Sequence, residues 1–259
     1  MKLSVVIPCY NESDGIPKLK DELLPILADL VASEDTDQTN KPGQVEVVLV
    51  DDGSHDTTWD DLHAAFGDLE IPGIEFRFEQ HEVNRGLGAA IRTGLQAATG
   101  DIIVTTDSDG TYKFESIPAL LNKLTPDVSL VSASPYHPDG GVEGVPEYRL
   151  FFSKGASFLY RIFVDWRIHT YTALYRAYRK EIAERVTFEA NDFLGGTELM
   201  VRAMLMGYKA AELPAVLHQR QYGESKAKIA RTIRSHLGFL WRVFLHRLSI
   251  IRLVESKQP

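Results

Sequence analysis

Two aspartates, Asp107 and Asp109, stand directly after a run of apolar and β-branched residues at 102–106. Carboxylates one residue apart at a strand end supply hard oxygen ligands, which suit Mg²⁺ or Mn²⁺ that also binds phosphate oxygens and water. The same spacing recurs in Asp35-x-Asp37, but no strand-like run precedes that pair. Position therefore makes Asp107 and Asp109 the candidate metal ligands, and the alternative is a turn whose aspartates cap the next helix.

Two further strand ends carry side chains that can bind a nucleoside. Tyr10 follows the first apolar run and can stack on a base, with a half-buried ring of no ligand-binding role as the alternative. Asp52 follows the second run and can accept a hydrogen bond from a base or a ribose, or it is merely an acid near a helix start. The loop at 84–88 holds two glycines but lacks the third glycine of a dinucleotide-binding turn. We expect these glycines to let a helix begin close beneath a ligand.

Strand and helix patterns alternate along the first half of the chain, and these elements would position the candidate residues. Apolar runs predict strands at residues 3–7, 45–50, 74–78, 102–106 and 128–133. Helical spacing predicts helices at residues 16–31, 57–69, 89–98 and 116–124. The alternation favours an α/β fold, Rossmann-like, with a mostly parallel sheet and helices on both faces. Ligands of such sheets bind beyond the carboxyl ends of the strands, where the candidate residues stand.

The second half of the chain follows a different pattern. It predicts a loop at 134–146, an aromatic and basic helix at 148–167, a strand at 172–178, a helix at 197–206, a strand at 210–217, a loop at 218–225 and a long helix at 226–254. The first half is typical of a nucleotide-binding layer, so we expect the second half to bind the acceptor.

Composition narrows the class of protein. The chain has 259 residues, 44% of them hydrophobic and 25% charged, which is typical of a folded protein and not of a disordered one. Its single cysteine, Cys9, excludes a disulfide framework and a four-cysteine zinc site, and it suits a reducing compartment. No secretory signal pattern and no run of 18 apolar residues is present. The sequence thus predicts a globular protein of the cytoplasm.

Charge is divided unevenly along the chain. The net charge is −8, yet residues 218–259 hold nine lysines and arginines against two glutamates, a net +7 that leaves −15 for residues 1–217. In the last helix, Arg231, Arg234 and Arg242 fall on one stripe beside apolar residues that include Trp241. Such a helix is typical of one that lies on a membrane surface, with 150–166 as its companion. The alternative is that both apolar faces belong to the core or to a dimer interface.

Four motifs in order, VVIPCYNE, VVLVDDGSHDTT, NRGLGAAIRTGLQAATGD and IVTTDSDG, resemble the family 2 glycosyltransferases of the GT-A fold. The segments SKGASFLYRIF and ELPAVLHQRQYGESK are similar to the dolichyl- or polyprenyl-phosphate mannose synthase branch. The resemblance covers about residues 2–245. It implies a GT-A domain over residues 1–217, with a nucleotide-sugar half at 1–133 and an acceptor half at 134–217. Residues 218–259 would then form a phosphate-binding loop and a basic amphipathic helix.

The resemblance also implies roles for individual residues. Those expected around the nucleoside are Pro8, Tyr10, Glu12, Val50 and Asp52. Asp107, Ser108 and Asp109 would hold the metal and the sugar diphosphate, while Arg220, Ser225 and Lys226 would meet the phosphates of donor and acceptor. The chain departs from the family at Gly110-Thr111-Tyr112, where Leu-Gln-His is common, at Pro135, where an arginine is frequent, and at Leu194, near an expected lysine.

Together these features predict an inverting, Mg²⁺- or Mn²⁺-dependent transfer of a mannose- or glucose-type sugar from a GDP- or UDP-sugar to a polyprenyl phosphate. The enzyme would be peripheral to the cytoplasmic face of the membrane, and no nucleic-acid partner is expected. One alternative is a family 2 transferase with a hydroxyl acceptor, which would need a carboxylate base such as Asp192 or Glu198. Glu198, however, is also placed for a structural ion pair with Arg202. The others are a non-catalytic nucleotide- or lipid-binding relative and an oxidoreductase, the last disfavoured because the first strand ends in Pro8-Cys9-Tyr10 and not in a glycine turn.

Overall fold

A computed structural model describes residues 1–32, 40–220 and 229–254. Its strands are β1 (Lys2–Cys9), β2 (Gln44–Asp51), β3 (Ile74–Gln80), β4 (Ile102–Thr105), β5 (Leu130–Ser134), β6 (Gly141–Glu143), β7 (Arg176–Arg179), β8 (Ala210–Pro214) and β9 (Val216–His218). Seven of them form one sheet in the order β3-β2-β1-β4-β7-β5-β8, and β6 pairs with β9 separately.

The helices are α1 (Ile16–Ala32), α2 (Thr58–Phe66), α3 (Leu87–Ala97), α4 (Ile117–Lys123), α5 (Glu147–Phe163), α6 (Lys180–Arg185), α7 (Gly195–Leu205) and α8 (Ile229–Arg247). Short 3₁₀ turns at Ser13–Gly15 and Phe114–Ser116 lead into α1 and α4. Within the described ranges, no helix is both long enough and apolar enough to cross a bilayer.

The centre of the sheet is parallel. β1 pairs with β2 along its whole length, from Lys2 opposite Gln44 to Cys9 opposite Asp51, and with β4 on its other side. Every residue of β1 after Lys2 is buried, and so is every residue of β4. Strands covered on both faces lack a polar alternation, which explains the continuous apolar runs in the sequence. The predicted α/β fold is confirmed.

Strand β7 interrupts the parallel order, because it runs antiparallel to both of its neighbours, β4 and β5. Its Arg176 is fully buried and donates hydrogen bonds to the Ser132 hydroxyl at 3.2 Å, the Tyr171 carbonyl at 2.6 Å and the Gly196 carbonyl. A buried guanidinium is tolerated only where its donors are satisfied in this way. Arg176 thereby ties β7 to β5 and to the start of α7.

Helices cover both faces of the sheet. One core cluster joins β1, β2 and β4 to α1, α2 and α4, and a second joins them to α3, α5, α6, α7 and α8. On the second face α3 and α7 approach closely, since a Cβ added at Gly195 would lie 2.6 Å from the Gly88 Cα. This contact requires glycine, and it holds the start of α3 beneath the ends of the strands.

Several predicted boundaries were wrong. The strand expected at 172–178 is limited to Arg176–Arg179, because the chain before it runs irregularly across the end of β5. The strand expected at 210–217 is divided into β8 and β9, which belong to different sheets. Strand β6 and helix α6 were not predicted. The last helix ends at Arg247 and not at Val254.

Candidate active site

The loops after β1 and β2 are tied together where the two strands end. Asn11 has a positive φ of 52°, a conformation that asparagine tolerates better than most residues. Its N–H donates to the Ser54 hydroxyl at 2.9 Å, and its side-chain oxygen accepts the His55 N–H at 2.8 Å. The Glu12 N–H donates to the Thr58 hydroxyl at 2.8 Å. These bonds fix the half-buried Tyr10 and the buried Glu12 at the carboxyl edge of the sheet, the edge where β1, β2 and β4 end.

An acidic cluster at this edge is bridged by one arginine. The Arg220 guanidinium forms an ion pair with the Glu12 carboxylate, and its Nε lies 3.3 Å from Asp109 Oδ2. The main chain positions both partners, since the Thr111 N–H donates to Asp109 Oδ1 at 3.1 Å and the Thr111 carbonyl accepts the His218 N–H at 3.0 Å. The structure thus brings together residues 208 positions apart in sequence.

Asp107 reports the electrostatic state of the cluster. Burial raises the pKa of its carboxyl to about 8, and the carboxylates of Asp109 and Glu12 add to the rise, while Arg220 opposes it. One guanidinium therefore does not offset three acids in this partly enclosed place. A divalent cation beside Asp107 and Asp109 would supply the missing positive charge, so the residues present fit a metal electrostatically.

The donor set also fits a particular kind of metal site. Among the residues that the structure describes, no three His, Cys, Asp or Glu side chains converge as a complete metal cage. Mg²⁺ commonly takes only one or two protein carboxylates and completes its shell with substrate phosphates and water. Asp107 and Asp109 suit a metal that arrives with, or is completed by, a diphosphate.

Asp52 is buried and hydrogen-bonded by the loop that leads into α3. Its carboxylate is only 3% exposed. It accepts hydrogen bonds from His81 Nδ1 at 2.6 Å, Asn84 Nδ2 at 2.9 Å, the Arg85 N–H at 2.9 Å and the Gly86 N–H at 2.8 Å. These four donors hold the Asp52 carboxylate in place, and its contact with a base or ribose stays a prediction. Asp52 shapes the loop that leads into α3.

Two other predicted nucleoside contacts stay predictions, and the structure places both residues inside the sheet. Pro8 and Val50 are opposite one another in β1 and β2, and both are buried. The Val50 side chain is part of the core beneath α3, with Cγ2 3.3 Å from the position a Cβ would take at Gly94. Neither side chain reaches the surface, because the strands extend to the last residue of each apolar run.

Ser108 and the C-terminal residues complete the predicted set. Ser108 is half-buried beside Asp107 and shares a hydrogen bond with the Cys9 thiol, whose pKa is raised by burial. Cys9 is therefore an inert core thiol beneath the site. Ser225 and Lys226 lie outside the described residues, so their predicted contact with acceptor phosphate stays a prediction.

Both candidate bases are engaged elsewhere. Asp192 accepts the Leu194 N–H at 3.0 Å and the Ser235 hydroxyl at 2.5 Å, which links it to α8. Glu198 is 1% exposed and pairs with Arg202 at 2.7 Å, which confirms its predicted structural role. Its other oxygen accepts the N–H groups of residues 189 and 190, at 3.1 and 2.8 Å.

Sequence reasoning missed the supports of the site. His81 lies between Asp52 and the Thr93 hydroxyl, 2.8 Å from the latter, and so connects the strand-end loop to α3. The pairing of Glu12 with Arg220 has no local signal in the sequence. For the His81 contacts, the sequence offers one signal, a histidine directly after β3.

A mostly parallel sheet with helices on both faces and paired aspartates after a central strand is the architecture of the GT-A glycosyltransferases. The chain belongs to glycosyl transferase family 2, whose sequence profile matches residues 4–187. It is 30% identical over 257 residues to the dolichol-phosphate mannosyltransferase of Pyrococcus furiosus, covering 98% of this chain and 67% of that protein. It is also 30% identical over 229 residues to the polyprenol monophosphomannose synthase of Mycolicibacterium smegmatis, covering 86% and 79%. The predicted family and the predicted enzyme class are confirmed.

Solved structures support the fold. The glucosyl-3-phosphoglycerate synthase of Mycobacterium tuberculosis, in complex with Mn²⁺, UDP and glucosyl-3-phosphoglycerate, superposes with a TM-score of 0.65 at 20% identity, over 97% of this chain and 81% of that one. The same enzyme with Mg²⁺ and UDP gives a TM-score of 0.64 at 19% identity, over 97% and 81%. Divalent metal and nucleotide are therefore bound by proteins that share this fold.

Proposed function

We propose that this glycosyltransferase moves a hexose, of the mannose or glucose type, from a GDP- or UDP-sugar to a polyprenyl phosphate at the cytoplasmic face of a membrane. The observation that carries the proposal is the pairing of Arg220 with Glu12 and Asp109, next to Asp107. A planar guanidinium in this place can exchange a carboxylate for a phosphate, because both are bound by the same two-pronged geometry.

The acceptor class is supported by the environment of the two candidate bases, which are engaged in other contacts among the described residues. Asp192 and Glu198, the two candidates, are held by Ser235 and by Arg202. A sugar hydroxyl would need a positioned carboxylate to take its proton. A phosphate monoester is already largely anionic near neutral pH, since its second pKa is about 6. The names of the two curated relatives, at 30% identity, agree with a lipid phosphate acceptor.

In the proposed step, an oxygen of the acceptor phosphate attacks the anomeric carbon of the donor sugar. A new carbon–oxygen bond forms on one face of the sugar while the bond to the nucleoside diphosphate breaks on the other, which inverts the anomeric centre. The electron pair of the broken bond leaves with the diphosphate. Arg220 binds and orients phosphate oxygens, and Tyr10 at the end of β1 is placed to stack on the base.

Asp107 and Asp109 would hold Mg²⁺ or Mn²⁺ together with the donor diphosphate. The metal would supply Lewis-acid stabilisation of the charge that develops on the leaving group. The halves at residues 1–133 and 134–217 would take donor and acceptor, and residues 218–259 would provide the phosphate-binding loop and the membrane-facing helix.

Membrane location is supported by exposed apolar side chains on two adjoining helices. On α5 and its C-terminal turn they include Phe151, 74% exposed, and Trp166, 56% exposed. On α8, Trp241 is 59% exposed while Arg231 and Arg234 are at the surface. Aromatic and basic side chains in this combination suit the headgroup region of a bilayer.

The direct test is a donor panel, with GDP-mannose, UDP-glucose and their base-exchanged counterparts, against a short-chain polyprenyl phosphate in detergent. We expect glycosyl transfer with one donor, loss of transfer in EDTA, and recovery with Mg²⁺ or Mn²⁺. The dephosphorylated polyprenol and free mannose are the matched hydroxyl acceptors. Transfer to a hydroxyl but not to the phosphate would overturn the proposed acceptor, and donor binding without turnover on any acceptor would make the protein a non-catalytic relative.

A further inference from the structure

Strand β3 forms one edge of the seven-stranded sheet, and β2 is its only neighbouring strand among the described residues. The Val45 N–H of β2 donates to the Gly73 carbonyl at 2.8 Å, so the main-chain groups of the odd-numbered residues of β3 face β2. In a parallel pair the residues between them face the other way. The N–H and C=O groups of Phe76 and Phe78 therefore point away from the sheet, where a further strand can pair with them.

The side of β3 that faces α2 is apolar. Ile74, Phe76 and Phe78 alternate along it, with the Phe76 ring 5.2 Å from the Phe66 ring and the Phe78 ring stacked on His63 at 4.1 Å. The two phenylalanines of β3 are still only half-buried. Beside them lies a surface groove of about 550 Å³, lined by the end of α2, the turn that follows it and the first half of β3. Apolar surface at this edge is thus available to a second strand.

The opposite side of β3 carries charges of alternating sign, Glu75, Arg77 and Glu79. The Glu75 side chain is 67% exposed and lies 3.0 Å from Lys2 Nζ, and the exposed Arg77 donates to the Ala97 carbonyl at 2.7 Å. A carboxylate has two acceptor oxygens and a guanidinium has five N–H donors, so each group can take a second partner. Charges on an edge strand oppose the addition of most strands. An alternation of sign, however, makes the strand complementary to itself.

Charge and side-chain type select one register for a second β3 that runs antiparallel to the first. When Phe76 lies opposite Phe76 of the second copy, Glu75 lies opposite Arg77 and Ile74 lies opposite Phe78, each pair occurring twice by symmetry. The two Phe76 residues exchange N–H···O=C bonds, and each Phe78 N–H reaches the Ile74 carbonyl of the other copy. Opposite charges then meet on one side of the joined strands and apolar side chains meet on the other.

The neighbouring registers match less well. A register centred on Arg77 places that arginine opposite itself, and like charges directly opposite each other are destabilising. A register centred on Phe78 places the Phe76 ring opposite Gln80 and loses the apolar pairing. The register centred on Phe76 is the one of these three that satisfies both sides of the strand.

We propose that two copies of this chain associate through their β3 edges, antiparallel, with the two-fold axis between the two Phe76 residues. The same surface of each copy then forms the contact, and one continuous sheet extends through both. The axis of such a pairing is perpendicular to the sheet, so α5 and α8 of both copies cover the same face of the joined sheet. The inference goes beyond the proposed sugar transfer and does not depend on it.

The test is the oligomeric state of the full-length protein by sedimentation velocity at about 50 µM, where we expect a dimer. E75R places an arginine opposite Arg77 of the second copy, and R77E places a glutamate opposite Glu75. In each variant alone, both ion pairs change from attraction to repulsion, so we expect the dissociation constant of the dimer to rise about thirty-fold. An equimolar mixture of the two variants restores opposite charges at both pairs and should form a heterodimer with a dissociation constant close to the native one. The double variant E75R/R77E should likewise dimerise.

The mixture separates a lost contact from a damaged fold, because it contains only the two variants that fail alone. D127R and K209E are the matched controls: they reverse the charges of an exposed ion pair near β8, at the other edge of the sheet, and should associate like the native protein.

Three results would overturn the proposal. They are a monomeric native protein, native-like dimers of E75R and R77E alone, and a mixture of the two variants that stays monomeric. Sugar transfer is measured on the same samples in detergent. A dimer that transfers no sugar would reject the proposed function and leave this contact supported.

Discussion

Arg220 forms ion pairs with two residues that are far from it in the sequence. It follows β9, yet its guanidinium pairs with Glu12 after β1 and with Asp109 after β4. It stays largely protected, with 19% of its side chain exposed. A phosphate entering the site would meet a cation already oriented by carboxylates, which lowers the cost of organising the site at the moment of binding.

We therefore expect Arg220→Ala to lower glycosyl transfer by about 10²-fold or more, because a developing charge in a partly enclosed site loses its donor. Arg220→Lys should recover only part of the rate, since lysine offers a point charge and no planar fork. Initial rates with the donor and a short polyprenyl phosphate measure both. Donor hydrolysis by water is the informative control: retained hydrolysis would assign Arg220 to the acceptor alone. No change in either activity would mean that the family role of this residue does not apply here.

Asp109→Asn should reduce turnover about 10²–10³-fold while nucleoside binding changes little, because in the proposed function Asp109 would hold the metal and the diphosphate and Tyr10 would contact the base. The substitution keeps the shape of the side chain and the hydrogen bond from Thr111, so folding should be unaffected. Rates at saturating Mn²⁺ and calorimetric titration with the nucleoside separate the two effects. Asp127→Asn, at an exposed aspartate far from the site, is the control. A near-normal rate at saturating metal would exclude Asp109 as a metal ligand.

For individual residues, the sequence predicted the position in the fold better than it predicted the contacts of each side chain. Asp52, Pro8 and Val50 lie at or near strand ends, as predicted, and their contact with a nucleoside stays a prediction. The sequence gives no sign that His81, Asn84 and two main-chain N–H groups, all from one loop, would saturate the Asp52 carboxylate. Hydrogen bonds of this kind depend on loop conformation, which residue types alone do not specify.

Among the elements, α8 connects the outer surface to the strand-end loops. Its buried face, Phe239, Leu240 and Val243, belongs to the core, while its outer face keeps Leu237 and Trp241 exposed. The prediction that an apolar face of this helix belongs to the core is confirmed, and the membrane contact of its outer face stays a prediction. Ser235 bonds Asp192, and the neighbouring main chain at residue 191 accepts the Gly88 N–H at 2.8 Å, so α8 supports the start of α3.

His236 is the buried polar group of this contact, 7% exposed, with Nδ1 3.1 Å from the Tyr160 hydroxyl. Burial lowers its pKa from 6.5 to about 4, although the nearby Asp192 carboxylate opposes the shift. Between these two values the unfolded chain binds a proton that the folded protein does not. The contribution of His236 to stability is therefore present above pH 6.5 and falls as the pH decreases.

At pH 5 we expect this difference to cost about 2 kcal/mol of the free energy of unfolding relative to pH 7. His236→Gln retains a hydrogen-bond partner for Tyr160 but does not titrate, so it should remove that part of the pH dependence. Urea unfolding at pH 7 and pH 5 measures the effect. His63→Gln on the exposed face of α2 is the matched control and should keep the native slope. An identical loss of stability in native protein and H236Q would exclude His236 as its source.

The elements show why sequence patterns predicted one half of the fold better than the other. In β1, β2 and β4, burial on both faces produces continuous apolar runs that periodicity detects. Strand β7 instead contains Arg176 and Arg179, and its reversed direction depends on where β4 and β5 leave space for it. No local pattern encodes a pairing partner more than 70 residues away, since direction is set by tertiary contacts.

At the scale of the whole molecule, negative and positive charge are concentrated in different parts of the chain. The acidic body surrounds the candidate metal site, while Arg231 and Arg234 of α8 and the exposed rings of α5 and α8 belong to the helices that cover the face opposite α1, α2 and α4. Of the three arginines in the predicted stripe, Arg231 and Arg234 are exposed, and Arg242 is half-exposed with Glu189 at 3.4 Å. An acidic protein would be repelled by an anionic bilayer unless such a face were turned toward it.

We therefore expect binding to anionic vesicles to weaken, without vanishing, as salt rises from 50 to 500 mM. Three cations supply about 3 kcal/mol, which is screened beyond a Debye length of about 8 Å at 0.15 M, whereas the burial of Trp241 and Leu248 in the interface does not depend on salt. Replacing Arg231, Arg234 and Arg242 by glutamate should release the protein in co-sedimentation and leave nucleotide binding intact. Reversal of Lys20, Lys41 and Lys123, on the other side of the sheet, should have little effect. If the protein still binds after the first reversal, or does not bind at low salt, the membrane contact is refuted. The outer face of α8 would then be assigned to a contact between protein subunits.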